Sequence, residues 1–216
     1  MRKYEKIETI FARDIEGTKK LVPNTFRDST VEYLARNNWI WTEKVDGTNI
    51  RVFWDGHQIS FAGRTDSAVI PTPLYDRLSE IFLNDVAEEL FEQTFGEKEV
   101  IIFGEGYGNK IQKVGNKYIK DNVDFIIFDV LIGDNYQERK FVKQTAQMFG
   151  IKAVPVIGIG NLYEAVEFIK MHPMSVISEE EIEMEGLVCR PVMELRNRCG
   201  ERIIVKIKWN DMKELI

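Results

Sequence analysis

Chemistry in this chain could centre on Lys44, which lies in WTEKVDGTNIRVFWDG, residues 41–56, at the end of a predicted strand and just before an acidic-glycine turn. Downstream come Arg64 in GRT, Glu105 in FGEGYG, Phe128 in DFIIFDV, Glu185 in EMEGLV, and Lys206 with Lys208 in IVKIKW. A strand-end lysine is ordinarily a solvated edge charge, and a bare KxDG string arises by chance in about one chain in twenty of this length. Lys44 therefore reads as a nucleophile because of the ordered set behind it, not because of the string. A lysine amine attacks only when unprotonated, and its reference pKa of about 10.4 leaves roughly one molecule in a thousand competent near pH 7.5. Lowering that pKa by about three units is worth about 4 kcal/mol. Lys206 and Lys208, two apart on a predicted strand, share a face and would disfavour a third ammonium at Lys44. The same IVKIKW alternation is also what a half-buried strand with a polar outer face looks like.

Those side chains need elements to hold them. WIWTEKV and NIRVFWDG alternate, DGHQ supplies a turn and QISFAGR follows, which predicts hairpin structure across residues 39–64. PLYDRLSEIFLNDVAEELFEQTF has apolar residues at helical spacing and predicts one helix from Pro73 to about Phe95. VIIFGEG and DFIIFDVLIGDNYQ read as strands, the second entering a Gly-Asp-Asn turn. Residues 138–149 and 162–171 read as surface helices flanking a VPVIGIG strand, and EGLVCRP with RIIVKIKW reads as a final hairpin. Short strands with irregularly interspersed helices indicate an α+β domain with antiparallel sheets. With no repeat, low-complexity tract or linker, the expectation is a single domain over residues 1–216.

Composition narrows the partners. At 216 residues, 44% hydrophobic and 30% charged, the chain suits a soluble globular domain. No apolar run approaches the roughly 20 residues that span a bilayer, and MRKYEKIETI has charges where a signal peptide is apolar, so a cytoplasmic protein without membrane contact is expected. Cys189 and Cys199 read as two free thiols. A net charge of −6 argues against coating nucleic acid by bulk electrostatics. Any such contact must be local, and the best candidate is Lys110, Lys113, Lys117 and Lys120 with Tyr107 and Tyr118 interleaved, which is either a phosphate-binding face or a solvated surface. GEGYGN is not a dinucleotide fingerprint, because Asn109 replaces the last glycine and no helix follows. There is no GxxxxGK[ST] loop, and His57 and His172 are too isolated for zinc.

The ordered set resembles the covalent nucleotidyltransferases, the superfamily of polynucleotide ligases and messenger-RNA capping enzymes. EKVDGTN is close to the EKxxGTN form of the phage RNA ligase 2 branch, which includes the trypanosome RNA-editing ligases. GEGYGNKIQKVGNKYIKDNVDFIIFDV is similar to that branch's middle segment, and KYEKIE to its N-terminus. Asp46 departs from the pattern, since the phage enzyme has histidine there and DNA ligases have aspartate. The resemblance implies an α+β adenylation domain with two packed, mainly antiparallel sheets and the nucleotide held between them. It implies an ATP-dependent RNA ligase that joins 5′-phosphate and 3′-hydroxyl ends through a lysyl-AMP at Lys44. Glu185 would bind Mg²⁺ or Mn²⁺, and Lys206 and Lys208 would neutralise the triphosphate. Arg64 and Glu105 would lie near the ribose and Asn49 near the phosphate, with Glu43 also in the nucleotide site. Phe128 would stack on the purine, though by residue type it could equally be a core aromatic.

The RNA could be a nicked duplex or a single strand. Neither an OB barrel nor a helical module fits after Lys208, so a minimal enzyme, or one helped by an accessory protein, is expected. The alternatives are a small ATP-dependent DNA ligase, suggested by Asp46, a GTP-using capping enzyme, and a nucleotide- or RNA-binding module without turnover.

Overall fold

Successive residues of a strand point to opposite faces, so an alternating run buries one side and offers the other. The computed structural model describes residues 2–213. The first part of the chain forms strands β1 (Glu8–Thr9), β2 (Phe11–Arg13) and β3 (Leu21–Phe26), helix α1 (Ser29–Leu34), and strands β4 (Trp39–Glu43), β5 (Thr48–Trp54) and β6 (Ile59–Ala62). Helices α2 (Thr72–Phe82) and α3 (Asp85–Phe95) follow, then β7 (Val100–Gly108), the short α4 (Gly115–Tyr118), β8 (Val123–Ile132) and β9 (Asn135–Tyr136). The remainder is α5 (Arg139–Met148), β10 (Lys152–Ala153), β11 (Val156–Gly160), α6 (Leu162–Lys170), β12 (Gly186–Pro191), β13 (Val205–Lys208) and α7 (Trp209–Met212).

The chain divides into two compact units. One comprises Asp46–Val154 with the N-terminal residues up to Glu5 and Ser178–Glu180; the other comprises Lys6–Val45, Pro155–Ile177 and the residues from Glu181 onward. In the first unit the sheet order is β10-β8-β7-β5-β6, with β9 paired to β8. Its larger core packs Ile50, Val52, Trp54, Ile102, Phe125 and Val130 against α2, α3 and α5 through Leu78, Phe82, Phe91 and Val142. A smaller aromatic cluster of Phe103, Tyr136, Tyr4 and Phe128 covers part of the opposite face. Burial on both sides explains why VDFIIFDVLI reads as an almost continuous apolar run.

In the second unit the order is β1-β13-β12-β4-β11, and β2 and β3 form a separate ribbon. Trp39, Trp41, Leu187, Cys189, Val205 and Ile207 fill one core with Leu162, Val166 and Ile169 of α6, whose start is fixed by a capping box between Asn161 and Glu164. The predicted β12–β13 hairpin forms, with Leu187 opposite Ile207. Both cysteines are free: Cys189 is buried, which pushes its thiol pKa up, and Cys199 is exposed. Among the described residues no helix is long and apolar enough to cross a membrane.

Two expected elements differ. The hairpin predicted across residues 39–64 is only half present: β5 and β6 pair through a turn in which Asp55 Oδ1 accepts from the His57 and Gln58 amides. β4, however, pairs with β12 and β11 in the other sheet. Alternation reports which face a strand buries, not which strand lies beside it. The predicted helix 73–95 is two helices. Asn84 takes an extended backbone and its side chain caps α3 by accepting from Ala87 N at 3.0 Å, which competes with continued helix.

Candidate active site

β4, β12 and β13 turn their core residues to one face, so the residues between them share the other. Thr42, Val188 and Lys206 form one cross-strand row on that face. The next row is Gly186 with Lys208, and Lys44 joins it by donating its backbone N–H to the Gly186 carbonyl at 2.9 Å. A Cβ on Gly186 would stand 2.1 Å from the Ile207 carbonyl, so only glycine allows β12 to start this close to β13. The residue before it, Glu185, is thereby set beside both lysines. Its Oε2 accepts from Lys44 Nζ at 2.6 Å and its Oε1 pairs with Lys208 Nζ at 2.8 Å. Lys206 has its pKa lowered by burial, then by the positive charges of Lys44 and Lys208. Four residues from three motifs thus converge on one sheet face.

Glu43 does not join them. It lies on the core face opposite Leu187, 1% exposed, and its carboxylate accepts from Ser175 Oγ and from Val176 N at 3.0 Å. Neighbours on a strand point apart, so Glu43, adjacent to Lys44 in sequence, turns to the other face. Burial holds its carboxyl pKa above the usual value despite both hydrogen bonds. Glu43 therefore holds the 175–176 segment.

The first unit carries the other candidates. Asn49 on β5 faces Glu105 on β7, and the buried Asn49 Oδ1 has no hydrogen-bond partner among the described residues. Gly47 packs so tightly that a Cβ there would meet the Gly106 carbonyl at 2.3 Å and Glu105 Cγ at 2.7 Å. The glycine of the KVDG turn thus lets backbone lie against the Glu105 stem. Phe128 occupies a bulge, because Phe103 pairs with Asp129 and Gly104 with Ile127. Its half-buried ring meets Tyr4 edge to face at 4.9 Å, and Tyr4 Oη donates to Asp129. Phe128 is thus partly a packing residue. Arg64 is exposed on the loop after β6. The basic lysines 110, 113, 117 and 120 are all exposed, but Tyr107 and Tyr118 are each 1% exposed and pack on each other at 6.0 Å. The expected interleaving of aromatics with lysines on one surface is therefore not formed.

Arg51 was not singled out in the sequence. It is fully buried on β5 and donates to the Gly63 carbonyl at 2.8 Å, to Asp66 at 2.8 Å and to the Arg2 carbonyl at 3.2 Å, which fixes the loop that carries Arg64. A charged residue inside the otherwise apolar run IRVFW was the available signal. Ser175 carried none.

Residues 37–208, most of the chain, match the family model for RNA ligase. The chain belongs to the RNA ligase family. Its fold is also that of solved structures of a Naegleria gruberi RNA ligase. An apo variant is 17% identical with a TM-score of 0.66, covering 99% of this chain and 57% of that one. A variant with ATP and Mn is 18% identical with a TM-score of 0.68, covering 100% and 58%. One with AMP and Mn is 16% identical with a TM-score of 0.66, covering 99% and 58%. The chain spans less than two thirds of the length of these ligases. No protein of curated function matches it. The expected α+β ligase fold, with mainly antiparallel sheets and flanking helices, is the fold it has.

Proposed function

We propose that the protein is an ATP-dependent RNA ligase, with residues 1–216 acting as its adenylyltransferase module. What carries this reading is the Glu185 carboxylate bridging Lys44 and Lys208, with Lys206 on the same face, in a chain of this family. Three lysines on one face suit a triphosphate. In the first step Lys44 Nζ, once deprotonated, attacks the α-phosphorus of ATP; a P–N bond forms and the bond to pyrophosphate breaks. In the second, a 5′-phosphate oxygen of RNA takes the AMP and Lys44 leaves. In the third, the 3′-hydroxyl attacks the 5′-phosphate phosphorus and AMP departs. Lys206, disfavoured as an ammonium by burial and then by Lys44 and Lys208, would be favoured when phosphate charge arrives beside it.

Asn49, Arg64, Glu105 and Phe128 are the proposed sugar, phosphate and base contacts. ATP and manganese accompany Naegleria relatives. No group of three His, Cys, Asp or Glu side chains that could hold a metal exists among the described residues. One carboxylate fits Mg²⁺ or Mn²⁺ nonetheless, since Mg²⁺ is commonly held by one or two carboxylates plus substrate phosphates. Glu185 would supply that carboxylate, and the ion when bound would neutralise charge developing at the α-phosphate.

The test is incubation with Mg²⁺ and ATP labelled at its α-phosphate. Label should stay on the denatured protein and be lost in Lys44→Ala, while sealing of RNA already carrying a 5′-adenylate partly survives. Absence of label from about pH 6 to 9 would sink the proposal, and label on the variant would place the nucleophile elsewhere.

A further inference from the structure

Residues 109–120, NKIQKVGNKYIK, carry four lysines and no carboxylate in a chain of net charge −6. Lys110, Lys113, Lys117 and Lys120 are exposed, and among the described residues none of them forms an ion pair. Glu179 Oε2 accepts from the Lys120 N–H at 3.1 Å, and the Glu179 and Glu180 amides donate to the Tyr118 and Lys117 carbonyls at 3.1 Å. The segment is nonetheless held in place. Tyr107 and Tyr118 anchor it from beneath, and a Cβ on Gly115 would stand 2.0 Å from the Gly108 carbonyl. Lys110 and Gln112 keep left-handed backbone with φ of 60° and 63°, which costs about 1 kcal/mol or more each and persists only where surroundings enforce it.

Two hydrogen bonds tie this segment to the turn that follows Lys44. Gln112 Nε2 donates to the Gly47 carbonyl at 3.1 Å, and Asp46 N donates to Tyr118 Oη at 3.3 Å. Unpaired cations on a fixed backbone bind phosphates without first losing a counter-charge or ordering a loop. Four cations spread over residues 110–120 match a repeating anion better than one triphosphate. The buried tyrosines cannot stack on bases, so contact would be with the backbone and independent of sequence.

We propose that residues 109–120 form a docking surface for the phosphodiester backbone of the RNA substrate, which rests on the ligase function proposed above. The test compares wild type, K113Q/K117Q, and a control of equal charge loss on α5, K140Q/K143Q. Affinity for a 5′-phosphorylated nicked RNA duplex is measured from about 50 to 200 mM salt, alongside lysyl-adenylate formation. The proposal expects K113Q/K117Q to bind RNA at least about fivefold more weakly and its log–log salt slope to flatten by about 1.5. Adenylate formation should stay within about twofold of wild type, and the control should bind like wild type. Unchanged RNA affinity and slope would overturn the proposal, including in favour of a protein partner on this surface. An equal loss in the control, or a parallel loss of adenylate formation, would overturn it too. Failure of the wild type to form any adenylate sinks the ligase function alone, because the binding measurement needs no turnover and still decides the surface.

Discussion

Glu185 and Phe128 differ in the work their positions allow. Glu185 sits between two ammoniums at 2.6 and 2.8 Å, so Glu185→Ala removes the group that balances them and the proposed metal ligand. It should lower autoadenylylation by at least about 100-fold, on the order of 3 kcal/mol of barrier. Phe128→Leu should raise the ATP KM while keeping kcat within about threefold, since the proposed stacking would hold the base and do no chemistry. Equal loss of kcat in both would mean the roles are wrongly assigned. Glu43 makes a separate prediction about stability. Its folded pKa is raised above 4.5, so above that value the folded protein keeps a proton that the unfolded chain has released. Stability then falls as pH rises through the window up to the folded value. Glu43→Gln should flatten that fall, read as Tm against pH from 4.5 to about 8. An unaltered slope would show that Ser175 and Val176 fully compensate the ionised carboxylate.

Elements decide which of these residues can act together. Arg51 is one strand residue that positions a loop: its guanidinium reaches the carbonyls of Gly63 and Arg2 and the Asp66 carboxylate. Arg51→Met should cost about 3 kcal/mol in urea unfolding, because buried carbonyls lose their donor. A loss below about 1 kcal/mol would mean that the loop bearing Arg64 holds itself. The broken helix is likewise decided by one side chain. Asn84 accepts from Ala87 N and donates to the carbonyls of Glu80 and Ile81. Period 3.6 continues through NDVAEELF, so the hydrophobic pattern alone hides the break, although Asn-Asp before an apolar run is itself a cap signal. The expected β4–β5 pairing fails for a related reason. WIWTE and NIRVFW alternate equally well, and β4 finds its partners only in β11 and β12, more than a hundred residues later.

For the whole molecule, charge sets the balance between the proposed steps. A net charge of −6 repels polyanions at long range, so the proposed RNA substrate would have to be held by local cations whose effect salt weakens. Sealing of a nicked duplex should therefore drop steeply between about 50 and 200 mM salt, while transfer of AMP to the protein changes by no more than about threefold. Parallel decline of the two would indicate that salt acts on the nucleotide site instead. The two units each have their own apolar core. The KVDG turn crosses from one to the other, with Val45 the last residue of the second unit's segment and Asp46 the first of the other's.

The identities and order of the chemical groups were determined by sequence: the strands and the α+β class follow from local patterns, and Lys44, Glu185, Lys206 and Lys208 from the ordered motifs that resemble the covalent nucleotidyltransferases. Those patterns are short-range properties, since a face is set by every second residue and a turn by four. What tertiary structure alone decided is which faces meet. Lys44 and Glu185 are 141 positions apart yet 2.6 Å from each other, whereas Glu43, one position from Lys44, is turned to the opposite face and spent on Ser175. Tyr107 and Tyr118, interleaved with lysines in the chain, are buried because their rings pack together beneath the segment. Strand pairing and burial depend on contacts between residues far apart in the chain, and no local spacing encodes them.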